Sequence, residues 1–169
     1  ETGNLDYFFT GNFSSEDGWR EHSPSEVNQF FGKVGWQNET TDVDFSLTGA
    51  HNNLQGVQAL PVSWLNTPEQ GYTFPDKIEN RLVMANLKGS HFLGDEHLLS
   101  ANIYIRKSNI GNFASNTNDC LNSLEVGAGQ ACDQTLPEPV NITAEGSNEK
   151  SQTDQLEYGL TFQYSYLGD

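Results

Sequence analysis

Apolar and polar side chains alternate with a period of two along six stretches of this chain. One set runs Leu5, Tyr7, Phe9, Gly11, Phe13, then Phe30, Gly32, Val34, Trp36, then Val43, Phe45, Leu47, Gly49. It resumes at Val83, Ala85, Leu87, Gly89, at Leu99, Ala101, Ile103, Ile105, and at Leu156, Tyr158, Leu160, Phe162, Tyr164, Tyr166. The intervening positions are expected to take the charges, among them Asp6, Lys33, Asp44, Lys88, Arg106 and Glu157. Successive side chains of a strand point to opposite faces. The pattern therefore predicts strands over about residues 4–13, 27–37, 42–50, 81–92, 98–107 and 155–167, each with one dry and one wet side.

The connections alternate in length. Tight turns are expected between Gln37 and Val43 and between Leu93 and Leu99, where Asn38 and the Gly94-Asp95 pair favour a reversal. The other links are long: Ser14 to Ser25, His51 to about Asn80, and Ser108 to about Asp154. In the second of these, Pro61 suits the start of a short helical turn. An up-and-down antiparallel sheet with this order gathers its tight turns at one end and its long loops at the other. Membrane barrels of the outer-membrane type share that asymmetry and strands of this length. The predicted fold class is all-β: one partial domain over residues 1–169, an antiparallel up-and-down transmembrane β-barrel segment of about six strands.

Composition fits that expectation better than it fits an ordinary core. Only 35% of residues are apolar and mean hydropathy is -0.60, yet there are 10 Phe, 6 Tyr and 3 Trp. A barrel wall needs apolar residues only at alternate strand positions, and its loops can be strongly polar. Phe13, Trp36, Tyr164 and Tyr166 fall near strand ends on the dry side, where amphipathic rings favour the headgroup level. No run of 18 apolar residues occurs, which excludes a transmembrane helix. A second sheet of protein against the dry side is the competing expectation, and would make the chain a soluble secreted β-sandwich or small barrel that binds carbohydrate or lipid.

A net charge of -15, with 8 Lys and Arg against 23 Asp and Glu, argues against nucleic acid as a partner. Cys120 and Cys132 lie in the polar stretch between the last two strands, with no His between them. A disulfide stapling that loop suits them better than a zinc site, and implies an oxidising compartment. The chain enters a strand almost at once after Glu1-Thr2-Gly3, as an internal piece of a longer protein would.

Several phrases read in order carry a family resemblance. They are Asp6-Tyr-Phe-Phe-Thr-Gly-Asn-Phe13, Glu16-Asp-Gly-Trp-Arg-Glu-His-Ser-Pro-Ser25, Phe30-Phe-Gly-Lys-Val-Gly-Trp36, Thr41-Asp-Val-Asp-Phe-Ser-Leu-Thr48 and Gly49-Ala-His-Asn-Asn-Leu-Gln-Gly56. Phe74-Pro-Asp-Lys-Ile-Glu-Asn-Arg-Leu82, Leu87-Lys-Gly-Ser-His-Phe92 and Leu98-Leu-Ser-Ala-Asn-Ile-Tyr104 follow. Together they resemble the barrel of TonB-dependent outer-membrane receptors, active importers of ferric siderophores, cobalamin and some sugars. The resemblance implies a wall of about twenty-two strands, of which this chain supplies six from the first half. It implies an N-terminal plug, for which no counterpart is seen here, and a TonB-type energy-transducing protein that acts through that plug. It also implies that Lys33, Lys88 and Arg106 on the wet side pair with acids of the plug.

No catalytic constellation is expected, and no resident cofactor or metal. His22 and Ser23 are neighbours in a loop without a positioned acid, and the four histidines have no metal-ligand spacing. Binding is expected instead in the long loops and at their roots. Trp19 and Arg20 offer a stacking surface beside a guanidinium that suits carboxylate or catecholate oxygens. His22, Asn52, Asn53, Trp64 and Tyr72 are the other candidates. The expected function is active uptake of a scarce ligand, a ferric siderophore first, across the bacterial cell outer membrane, with outer-membrane lipid around the wall. A passive porin would share the strands and lack the plug.

Overall fold

The structure, a computed structural model, describes residues 4–58, 60, 64–117 and 146–168. Its elements are β1 (Leu5–Glu16), β2 (Ser25–Gln37), β3 (Thr41–Gly56), β4 (Asp76–Leu93), β5 (His97–Thr117) and β6 (Gly146–Tyr166). They form one sheet in the order β1-β2-β3-β4-β5-β6, antiparallel at every seam. The up-and-down architecture expected from the alternation is the one observed. The sheet does not close, because β1 pairs only with β2 and β6 only with β5.

Register follows from the hydrophobic pattern. Tyr7 faces Val34, Val34 faces Phe45, Phe45 faces Leu87, Leu87 faces Ile103 and Ile103 faces Leu160. One row of apolar side chains thus crosses all six strands. A slip of one residue at any seam would turn a strand's apolar set over and bring charges such as Lys33 or Asp44 into that row. Rows above and below repeat the arrangement, with Ala101 opposite Phe162 and Ala85 opposite Ile105.

The tight turns fall where they were expected. Asn38 Oδ1 accepts the amides of Thr40 and Thr41 at 3.0 and 2.7 Å, an Asx-type reversal between β2 and β3. Between β4 and β5 the chain reverses through Gly94, whose φ of 70° is left-handed and favours glycine.

The strands are longer than the alternation predicts, almost wholly at the long-loop end. β4 starts at Asp76 instead of about 81, β5 runs to Thr117 instead of 107, and β6 begins at Gly146 instead of 155. Alternation reports what the dry face touches, whereas the hydrogen-bonded ladder continues past it with mostly polar residues on both sides, broken by Leu54, Ile78, Ile110 and Phe113. The charge pattern is corrected by the register itself. Arg81 and Lys107 lie inside the predicted strands, and the register puts them on the apolar side of the sheet, with Lys107 opposite Val83 and Leu156.

The apolar face has no cover. Among the described residues no apolar side chain is buried, and Phe45, Ile103 and Phe162 are 46%, 51% and 66% exposed. Neither does a second layer of sheet lie over them among those residues.

Candidate functional site

The first two long connections meet at the long-loop end of the sheet, and Arg20 joins them. Its Nη1 donates to the Gln58 carbonyl at 3.1 Å and its Nη2 to that of Gln70 at 2.9 Å. The Glu21 amide adds a bond to the Glu69 carbonyl at 2.7 Å. His22 stacks on Phe74 with ring centroids 3.8 Å apart, carrying the first loop against the root of β4. The guanidinium fork expected to grip a ligand is therefore engaged with main-chain oxygens of its own chain.

Trp19 remains outside this contact at 73% exposed, with the Arg20 guanidinium 5.7 Å from its ring centroid. A recess of about 650 Å³ opens beside it, lined by Glu16, Trp19, Arg20, Ser23 and Val57. Trp64 and Tyr72 pack edge to face at 5.5 Å within the second connection. Thr67 and Gln70 amides bond back to the carbonyls of Trp64 and Thr67 at 2.9 and 3.2 Å, giving two successive turns. The start of the helical turn expected from Pro61 lies outside the described residues, while its continuation is the turn closed by the Thr67 amide on the Trp64 carbonyl. Cys120 and Cys132 and their expected disulfide also lie outside the described residues.

Asn52 and Asn53 are not loop residues. Both belong to β3, and adjacent positions on a strand face opposite ways. Asn52 stands on the polar face opposite Asn80, and the Oδ1 atoms of both are buried without a partner. Asn53 stands on the other face opposite Glu79. The seven candidates thus divide between a loop cap and two faces of the sheet, and no single pocket gathers them.

The polar face closes its charges on itself. Asp44 Oδ1 takes Lys33 Nζ at 2.7 Å and Asp44 Oδ2 takes Lys88 Nζ at 3.1 Å. Asp6 lies 3.9 Å from the same Lys33. Gly35, between Asp6 and Asp44 in register, makes this possible, since a Cβ there would run into both carboxylates. Arg106 Nη2 meets Glu157 Oε1 at 2.8 Å across β5 and β6. The three cations expected to hold a plug are each paired within the sheet.

Sequence reading missed the residues beyond the dry band. Lys77, Glu79 and Arg81 alternate along β4 on the apolar side of the sheet. Glu79 contacts the Arg81 guanidinium, His51 Nε2 at 3.3 Å and Lys77 Nζ at 3.6 Å. Charges at every second position were the available signal. Among the described residues no three His, Cys, Asp or Glu side chains converge as a metal site. Ser23 donates its hydroxyl proton to the Arg20 carbonyl and the His22 ring stacks on Phe74.

Arg20→Ala is expected to free the first loop from the second. Hydrogen bonds from a charged donor are worth about 1.5–3 kcal/mol each where they are well screened from water. Limited proteolysis should show faster cleavage near residues 17–24 with the strands intact. Unchanged cleavage would mean that the two connections do not depend on this side chain.

What the fold defines is an open, up-and-down antiparallel sheet with one continuous apolar face. The chain matches no family model, and it matches neither a curated protein nor a solved structure.

Proposed function

We propose that this chain is part of the wall of a transmembrane β-barrel in a bacterial outer membrane, belonging to a TonB-dependent receptor that imports a scarce ligand, a ferric siderophore first. The observation that carries this reading is the uncovered apolar face, which spans all six strands in register. The largest apolar patch on an ordinary soluble monomer is about 300–600 Å². Twenty or so large side chains on one side of a sheet exceed that several-fold.

Dimensions support the same reading. From Leu156 to Tyr166 the dry face of β6 rises by ten residues, about 33 Å along the strand and about 25 Å along the normal at a tilt of roughly 40°. At the tight-turn end Tyr164 and Tyr166 cluster with His97, whose Nδ1 lies 2.7 Å from the Tyr164 hydroxyl. Rings with one apolar body and one polar tip suit a headgroup boundary. The free edges of β1 and β6 would leave unpaired backbone groups in lipid, so further strands must complete the wall. The self-paired polar face then lines the interior, and the joined loops stand outside.

Two measurements test this in sequence. The full-length protein should be monodisperse only with detergent or lipid, and a monodisperse monomer in plain buffer would remove the membrane from the reading. Growth on defined ferric siderophores as sole iron source should then fail when the gene is deleted, and should require an intact energy-transducing partner. Ligand passage that persists without that partner would make the protein a passive pore.

A further inference from the structure

The protein carries 23 carboxylates against 8 Lys and Arg, yet four of those eight cations lie on the apolar side of the sheet at one end. They are Lys77 and Arg81 on β4, Lys107 on β5 and Lys150 on β6. Register places them as a rising group. Lys107 lies between Val83 and Leu156, at the upper limit of the apolar rows. Arg81 is one position further up β4 on that face, opposite His51 and Asn109. Lys77 and Lys150 flank Phe113 higher still. Neither Lys107 nor Lys150 has a carboxylate partner among the described residues, and Glu79 alone serves Lys77 and Arg81.

Two hollows adjoin these cations. Above, a cavity of about 330 Å³ opens over Gly111, which offers no side chain, with Lys77, Glu79, Phe113 and Lys150 around it. Below, an almost wholly apolar trough of about 420 Å³ runs over Ala85 between Phe45, Ile105 and Leu160. Lys107 sits between the two, one position along its face from Ile105. A cation at the head of an apolar trough matches a molecule with an anionic head and a hydrocarbon tail. Long Lys and Arg side chains place their stems on hydrocarbon and their charge at the headgroup level.

We infer that Lys107 and Arg81, with the trough over Ala85, form a binding site for a membrane lipid bearing an anionic phosphate headgroup, on the leaflet nearest the long loops. The phosphate lies between the Lys107 ammonium and the exposed side of the Arg81 guanidinium, and one acyl chain lies in the trough. Lys150 at the upper cavity, where Glu79 offsets Lys77, extends the positive field toward the headgroup. Charge complementarity selects this occupant, because four of the protein's eight cations collect on this face at the headgroup level, against Glu26, Glu79 and Asp154. Of these acids, Glu79 is taken up by Arg81 and Lys77, and Asp154 by the Asn109 amide. The inference rests on the membrane reading.

The test uses the full-length protein in dodecyl maltoside micelles, with dioleoylphosphatidylglycerol or dioleoylphosphatidylcholine added and bound lipid counted by native mass spectrometry. Phosphatidylglycerol should bind in preference, and rising salt should weaken it. Each charge at a membrane surface is worth about a 5-fold change in affinity, so K107Q with R81Q should weaken binding about 30-fold. K88Q, which removes a cation from the opposite face, should leave lipid affinity unchanged. Heat-dependent mobility on gels confirms that each variant is folded. Equal affinity of the double variant and the parent overturns the site, as does equal binding of the two lipids. Inorganic phosphate that occupies the site alone at millimolar concentration, with no dependence on the acyl chain, also overturns it. A protein monodisperse without detergent defeats the membrane reading before lipid is added, so the two failures are distinguishable.

Discussion

Leu160→Arg is expected to destabilise the folded protein by about 2–4 kcal/mol in a bilayer, the cost of an arginine on a barrel's lipid face near the midplane. Leu160 lies opposite Ile103 in the central apolar row and is 74% exposed in the bare sheet. An exposed position in water tolerates such a change within about 0.5 kcal/mol. The same substitution at Leu156, at the upper edge of the band, should cost about 1 kcal/mol or less. Urea titration of the protein refolded into lipid vesicles reads both. A pair of near-zero values would mean that water, not hydrocarbon, meets this face. A large cost at both positions, without the gradient, would point to packing against protein.

Asp44→Ala removes the acid shared by Lys33 and Lys88 and should cost about 1–2 kcal/mol. The figure lies between an exposed ion pair, at most about 1 kcal/mol, and a fully buried one at about 3–5 kcal/mol, because the Asp44 side chain is 17% exposed and both lysines reach solvent. A double-mutant cycle with Lys33→Ala isolates the shorter of the two contacts. Coupling indistinguishable from zero would show that the cations of this face are solvated, and would return them as candidates for pairing with a separate domain. Lys88→Ala alone should cost less than Lys33→Ala, since its contact is longer and its side chain more exposed.

The sheet was legible because its signal is repeated. Six alternating stretches, each with its apolar residues on one side, leave one register in which Val34, Phe45, Leu87, Ile103 and Leu160 line up, and the two tight turns at Asn38 and Gly94 pin its phase. The overhang was not legible from alternation, since beyond Gly49 and before Leu82 polar residues predominate on both faces and the apolar ones, such as Leu54 and Ile78, do not recur with a period of two. Reading those parts as loop put Asn52 and Asn53 together in one connection, although the ladder sends them to opposite sides. Loop residues fared differently again. Trp19, Arg20 and His22 were chosen for what their side chains can grip, and the deciding fact for Arg20 is the position of the Gln58 and Gln70 carbonyls, which no local pattern encodes. Arg81 and Lys107 break the alternation, since each is a charge at a position whose side is otherwise apolar.

Because every seam joins neighbours in the chain, assembly can proceed as a zipper whose order is set by loop length. Three residues separate β2 from β3 and β4 from β5, while 28 separate β5 from β6. Closure entropy grows as the logarithm of loop length, so the last seam costs about 2 kcal/mol more to initiate than the two short ones. The hairpins at the tight-turn end therefore nucleate first. The longest ladder, between β5 and β6, is recruited late and thereafter holds by its many rungs rather than by its speed.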